Sequence, residues 1–243
     1  MLKVNNLYCS VTNNNIAKPI LNDISFSLSK GETLVITGAN GSGKSTLLKT
    51  IMGILPNSAG QILLNKQDIS KDDITTRARK GIAYAFQTPV RFKGVKVKDM
   101  LTIANNSKKI MDVCNYLSKV GLCAREYLDR ELDGSLSGGE IKRIEVATTL
   151  ARGAVINLFD EPEAGIDIWS MDGLIKCFVE SKKKKSINII VSHQEKILNI
   201  ADKILVLDGG KVSAFGKAED ILPSLKYDQR LCGRIQSEVN NDR

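Results

Sequence analysis

The octapeptide Gly38-Ala39-Asn40-Gly41-Ser42-Gly43-Lys44-Ser45 has the residue types and spacing of a phosphate cradle. Its glycines let backbone N–H groups turn inward onto phosphate oxygens, and a helix start behind them adds a dipole that favours anions. Lys44 is placed to reach β- and γ-phosphates as a point charge, and the Ser45 hydroxyl to ligate Mg²⁺. Thr46, the next residue, belongs to the same nucleotide-binding set. A second run, Val155-Ile156-Asn157-Leu158-Phe159-Asp160-Glu161, is apolar and ends in two acids. Asp160 is positioned to hold the same Mg²⁺ beside Ser45. Glu161 is positioned to take a proton from water attacking a γ-phosphate. A third stretch, Leu136-Ser137-Gly138-Gly139-Glu140, combines a capping serine with two glycine amides, which makes a further anion site at a helix start.

These groups need a scaffold, and the periodicities supply one. Residues 2–8 and 20–28 alternate as strands, with a polar turn at 12–15 between them. Residues 33–37 form the strand that feeds the phosphate loop, and 45–52 the helix that leaves it. The chain breaks at 56–60, resumes as a short strand at 61–64, turns at Asn65-Lys66 and links through a polar helical stretch at 75–80. Residues 81–87 are strand-like and end at Gln87. Residues 97–103 and 110–117 have helical spacing, so 88–133 reads as a helical insertion. A helix starts at Ser137. Residues 187–193 make another buried strand that ends at His193, the only histidine, and 203–208 with 211–215 form a hairpin around Gly209-Gly210. The predicted architecture is α/β: a catalytic core with an antiparallel β subdomain (1–87 and 134–225), a helical subdomain (88–133) and a polar, loosely ordered tail (226–243).

The 243 residues suffice for one large α/β domain, and 42% hydrophobic with 26% charged residues is ordinary for a globular chain. No stretch reads as a membrane span or signal peptide, which predicts a cytoplasmic protein. The five cysteines are scattered without a C-x-x-C pair, so they read as reduced thiols and neither a zinc site nor a cluster site. Net charge is +8, with Lys182-Lys183-Lys184-Lys185 as an obvious source. No aromatic residues interleave with that run, so it reads as a solvated turn before a strand.

Phosphate loop, Gln87, Leu136-Ser137-Gly138-Gly139-Glu140, Asp160-Glu161, Ala164-Gly165-Ile166-Asp167 and His193 occur in the order of the ATP-binding cassette (ABC) ATPases, and this resemblance covers nearly the whole chain. It implies a P-loop NTPase fold of the ABC nucleotide-binding type, an ATPase activity with Mg²⁺, and a head-to-tail dimer. In that dimer ATP lies between the phosphate loop of one copy and residues Ser137, Gly138, Gly139 and Glu140 of the other. The resemblance makes Gln87 the glutamine that senses Mg²⁺ and the attacking water, Asp167 the aspartate that links the two sites, and His193 the switch histidine at the γ-phosphate. It also implies an adenine-stacking aromatic near the end of the first strand. That position falls near Val11, with Tyr8 three residues earlier, so no residue is assigned.

Residues 85–95, Ala-Phe-Gln-Thr-Pro-Val-Arg-Phe-Lys-Gly-Val, resemble the glutamine-loop region of SufC, the ATPase of the Suf iron–sulfur cluster assembly machinery. Lys142-Arg143 after the Ser137–Glu140 motif also resembles the SufC form, where many transporters have Gln-Arg. Pro162 departs from the bacterial SufC pattern, which has serine after the glutamate. The expectation is therefore an ATPase that drives conformational change in a soluble SufB/SufD-like scaffold. The alternative is the ATP-binding subunit of a membrane ABC transporter. A cassette acting on nucleic acid or ribosomes normally needs two cassettes or a long insert, and this chain carries one copy of each motif.

Overall fold

The computed structural model describes residues 1–13, 16–106 and 110–225. Strands β1 (Leu2–Asn13) and β2 (Ile16–Leu28) pair antiparallel, and β3 (Thr33–Thr37) leads through the phosphate loop into α1 (Lys44–Met52). β4 (Ala59–Leu64) pairs with β1 and with β5 (Gln67–Asp68). The order β2-β1-β4-β5 makes the expected antiparallel layer. Both long strands extend further than the alternation predicted, because the β1–β2 hairpin continues to Asn13–Ile16. The predicted turn at 12–15 lies partly outside the described residues, and the tail at 226–243 lies wholly outside them.

Helix α2 (Ile74–Arg79) then leads to β6 (Ile82–Ala85). The insertion that follows holds β7 (Phe92–Lys96), α3 (Val97–Asn105), α4 (Ile110–Lys119), α5 (Ala124–Tyr127) and β8 (Glu131–Leu132). Helices α3 and α4 fall where the spacing put them, and the short α5 was not expected. The β7–β8 pair across its base was not expected, because its two halves lie more than 30 residues apart in the chain. Helix α6 (Gly138–Ala151) opens on the Ser137 cap, followed by β9 (Ile156–Asp160), α7 (Met171–Lys183), β10 (Ile187–Val191), α8 (Glu195–Leu198), β11 (Lys203–Asp208) and β12 (Lys211–Lys217). Lys182 and Lys183 end α7, and Lys182 pairs with Asp202 at 2.5 Å.

The second sheet runs β12-β11-β3-β10-β9-β6, parallel except for the terminal β11–β12 hairpin. Every residue of β3, β9 and β10 is buried, as expected for parallel strands covered on both faces. Their alternation sorts side chains into two cores. Leu34, Ile36, Leu158 and Ile189 pack with α1 and the antiparallel layer. Val35, Phe159 and Ile190 pack with the insertion, α6 and α7. The insertion's Leu101, Val113 and Leu117 share that second cluster with Ile141 and Ile144 of α6, so the helical segment is welded to the Ser137 helix.

Candidate active site

The site gathers at one edge because β3, β10, β9 and β6 are parallel neighbours and end together. Register aligns Val191 with both Ile36 and Asp160, and Ala85 with Phe159. The residues just past those ends are Gly38, His193, Glu161 and Gln87. Three of them, Gln87, Glu161 and His193, line a cleft of about 880 Å³ together with Lys44, Ser45 and Thr46 among others.

The phosphate loop is shaped by what surrounds it. A Cβ at Gly38 would sit 1.9 Å from the carbonyl oxygen of Leu207, so β11 leaves room only for glycine there. Lys44, 6% exposed, donates to the carbonyls of Gly38 (2.7 Å) and Ala39 (2.8 Å). Burial pulls its ammonium below the usual lysine range, opposed by the charges of Glu161 and Asp160. Ser42 Oγ is buried with no hydrogen-bond partner. An orphaned hydroxyl inside a glycine loop at a helix start suits a phosphate oxygen, so this chain fits a nucleotide there.

Asp160 and Ser45 are brought together as predicted: Ser45 Oγ donates to Asp160 Oδ1 at 2.9 Å. The pair is an oxygen donor set suited to Mg²⁺. Asp160 Oδ2 accepts from the Tyr84 hydroxyl at 2.9 Å, a partner that sequence reasoning missed. Burial first, then the Asp160 charge, pushes the Tyr84 phenol far above its usual range, so it stays a donor. No sequence signal marks Tyr84; its role follows from the β6–β9 register.

Glu161 has φ +48°, a left-handed conformation that is uncommon outside glycine and asparagine and is often found at functional sites. Its N–H donates to the carbonyl of Val191, and its Oε2 accepts from Gln87 Nε2 at 2.9 Å. The acid and the glutamine are therefore joined across the mouth of the cleft. His193 Nδ1 lies 3.2 Å from the Thr37 hydroxyl. Burial and the Lys44 charge hold the imidazole below the usual histidine range, against the opposing pull of Glu161. Beside it, Ser192 Oγ donates to Glu163 Oε1 at 2.5 Å and accepts the Gln194 N–H, tying the histidine loop to the segment after Glu161.

Behind the glutamine lies Lys142 of α6, 1% exposed. Its ammonium donates to the carbonyls of Phe86, Gln87 (3.2 Å) and Asp160 (3.3 Å) and pairs with Glu145 at 3.4 Å. Glu145 in turn accepts the Phe86 N–H. One buried side chain thus clamps the ends of β6 and β9 to α6. Sequence analysis singled out Lys142 only by resemblance.

Ser137, Gly138, Gly139, Glu140 and Asp167 do not line the cleft of their own chain. Ser137 and Glu140 form a reciprocal capping box, with Ser137 N–H to Glu140 Oε2 at 2.7 Å and Glu140 N–H to Ser137 Oγ at 3.2 Å. Tyr127 also donates to Glu140, and with the cap holds its carboxyl below the usual range. The Asp167 carboxylate accepts the N–H groups of Trp169 and Ser170 and the Ser170 hydroxyl. Neither Val11 nor Tyr8 lines the cleft; Ile20 does, and among the described residues no aromatic side chain does. Among the described residues no group of histidine, cysteine and acid side chains could hold a metal by itself.

A family profile described as "ABC transporter" matches residues 21–164. An uncharacterized ABC transporter ATP-binding protein of Methanocaldococcus jannaschii is 35% identical over 98% of this chain and 96% of its own length. An energy-coupling factor transporter ATP-binding protein of Mycoplasmoides gallisepticum is 34% identical over 81% of this chain and 67% of its own. The dimeric structure of a post-hydrolysis ATP-binding cassette bound to ADP and Pi superposes with a TM-score of 0.81 over 90% of this chain and 99% of its own, at 20% identity. The fold is therefore the ABC cassette that the motif order implied. The relatives' names fall on transporter ATPases, the alternative of the two sequence readings, and carry nothing specific to iron–sulfur assembly. With the cradle, the Ser45–Asp160 pair and the Glu161–Gln87 pair assembled on one sheet edge, the chain belongs to the ABC transporter family, as one of its ATP-hydrolysing cassettes.

Proposed function

We propose that two copies of this chain close head to tail on MgATP, and that hydrolysis drives a partner seated beside Gln87. Ser45 and Asp160, with Gln87, would hold Mg²⁺, which supplies charge neutralisation on the phosphates. Lys44 and the loop amides bind the phosphates, Glu161 takes the proton of the attacking water, and neutral His193 contacts the γ-phosphate. Ser137, Gly138, Gly139 and Asp167 serve the other copy's nucleotide, consistent with their lying outside their own cleft.

The observation that carries the coupling is the segment at Gln87. Gln87 bonds Glu161 on the cleft side. The adjoining Phe86, Val90 and Phe92 are exposed and, with Tyr84, Met100 and Thr148, line an apolar groove on the other side. A partner in that groove senses the γ-phosphate through one residue. The relatives' names favour a membrane transporter subunit as that partner. No helix among the described residues is long and apolar enough to cross a membrane, so the span would belong to the partner. A second reading, a SufB/SufD-like scaffold, is favoured by residues 85–95 and by Lys142, whose ammonium braces the same segment.

The test is capture from native extract with Glu161→Gln protein and MgATP, read by mass spectrometry. An integral membrane subunit supports transport; a soluble SufB-like protein moves the assignment to cluster assembly.

Lys44→Ala is expected to weaken nucleotide binding roughly 10- to 100-fold, the worth of a charge-assisted hydrogen bond. The same substitution removes a charge that depresses His193, so the pKa of the sole histidine rises, read from its imidazole signals by NMR. The sign follows from linkage. The folded pKa lies below the unfolded one, so falling pH favours the unfolded chain, and Lys44→Ala lessens that loss.

A further inference from the structure

Glu163 is an acid of the cleft that the chemistry above leaves without a task. It lies two residues past Glu161 and is half-buried. Its Oε1 accepts the Ser192 hydroxyl at 2.5 Å, and its Oε2 is buried with no hydrogen-bond partner. Burial pushes this carboxyl above the usual range, against the pull of the Ser192 hydroxyl and of its own N–H. An orphaned, buried carboxyl oxygen costs stability, so folding alone gives no reason for an acid here.

Ser192 is fully buried and stands immediately before His193. Its N–H donates to the Ile36 carbonyl at 3.2 Å, and its Oγ accepts the Gln194 N–H at 3.0 Å. The backbone on both sides of the histidine is therefore held through one serine, whose hydroxyl is in turn held by Glu163. His193 itself is exposed, and its ring meets the Thr37 hydroxyl at 3.2 Å. Its aim consequently depends on the backbone that carries it. On the other side, the Glu161 N–H donates to the Val191 carbonyl at 3.1 Å, and the Glu161 carbonyl accepts the Ala164 N–H at 3.1 Å. The turns that follow β9 and β10 are thus joined through the backbone at Val191 and through side chains at Ser192. Only the second join can be removed by substitution.

We propose that Glu163 is a positioning residue for hydrolysis, which fixes the His193 loop against the Glu161 turn so that imidazole and general base approach the γ-phosphate from set places. The inference rests on the roles given above to Glu161 and His193. Glu163 acts through Ser192 and touches neither nucleotide nor attacking water. A misplacement of about 1 Å can cost about 100-fold in rate, so one hydrogen bond behind the site is enough to matter.

The test compares Glu163→Ala, Glu163→Gln and Ser192→Ala in the full chain. Each is read by MgATP hydrolysis, by urea unfolding and by the NMR signals of the imidazole, which a sole histidine makes unambiguous. Glu163→Ala should lower kcat about tenfold or more while KM changes less than about twofold. Glu163→Gln keeps an acceptor for the Ser192 hydroxyl and should recover most of the rate. Ser192→Ala removes the bond from its other side, so the comparison survives poor folding of one variant. It should match Glu163→Ala, and the double variant should be no slower than either. The imidazole signals should move in both alanine variants and stay in place in Glu163→Gln. A wild-type rate in Glu163→Ala overturns the proposal and leaves the histidine's role standing. So does a further loss in the double variant, a loss shared by Glu163→Gln, or a loss accounted for by unfolding. His193→Ala is the control on the roles themselves: if it hydrolyses MgATP at the wild-type rate, the reading of the histidine fails and the positioning role fails with it.

Discussion

Glu161→Gln is expected to retain MgATP and to lose about 10²–10⁴-fold of the hydrolysis rate, the usual worth of a positioned general base. The exchange keeps the side chain's size and its hydrogen-bonding shape. The Gln87 amide, 2.9 Å away, can still donate to the new carboxamide oxygen, so the mouth of the cleft is preserved. What disappears is the ability to hold a proton taken from water. The backbone at Glu161 sits at φ +48°, a conformation that glutamine adopts no more easily than glutamate, so the strain is shared by both forms and does not enter the difference. Single-turnover hydrolysis separates the two effects: binding is read from the amplitude of nucleotide retained, chemistry from the rate. A wild-type rate would remove Glu161 from the role of base and turn attention to His193, which its surroundings keep neutral.

Lys142→Met is expected to lower stability by about 3 kcal/mol, measured by urea unfolding. The methionine fills much of the lysine's volume, so little of this is lost packing. The cost lies in what the ammonium leaves behind: three backbone carbonyls, at Phe86, Gln87 and Asp160, and the Glu145 carboxylate, all in a low-dielectric setting. Burial already pushes the Glu145 carboxyl upward, and the Lys142 charge opposes that shift together with the Phe86 N–H. Adding Glu145→Gln should therefore recover part of the loss. Full recovery would mean that only the ion pair mattered. No recovery would mean that the carbonyl clamp on the ends of β6 and β9 carries the effect. Because those ends hold Gln87 and Asp160, the single variant should also lose ATPase activity under conditions where it remains folded.

Much of the site was legible in the chain because its chemistry is local. The phosphate loop needs a strand, a glycine turn and a helix in immediate succession, and residues 33–52 supply all three. The helix start at Ser137 is local too, and Ser137 caps α6 as its type predicts; that Glu140, three residues on, returns the bond as a capping box is what the structure adds. The apolar runs that end in Asp160-Glu161 and His193 could be read as buried strands from composition alone. That they pair in parallel, so that both end at the carboxyl edge of one sheet where Ser45 meets Asp160, is a matter of strand order.

Other parts depended on contacts that no local pattern encodes. Tyr84 finds Asp160 because β6 pairs with β9 in one register, and strand order is set by long-range packing. A lysine in an amphipathic helix ordinarily reads as solvated; Lys142 is buried because α6 packs against β6 and β9 and the carbonyls there need a donor. The β7–β8 pair closes the insertion across more than 30 residues, a distance over which pairing leaves no periodic trace. The exposure of Trp169 is likewise a property of the folded surface, fixed by the Asp167 turn and by Arg143 reaching across from another helix. Residue type and short spacing thus specified the chemistry this chain carries. Register, burial and the bracing of one element by another specified which groups meet and which face outward, because those depend on side chains far apart in the chain competing for the same space.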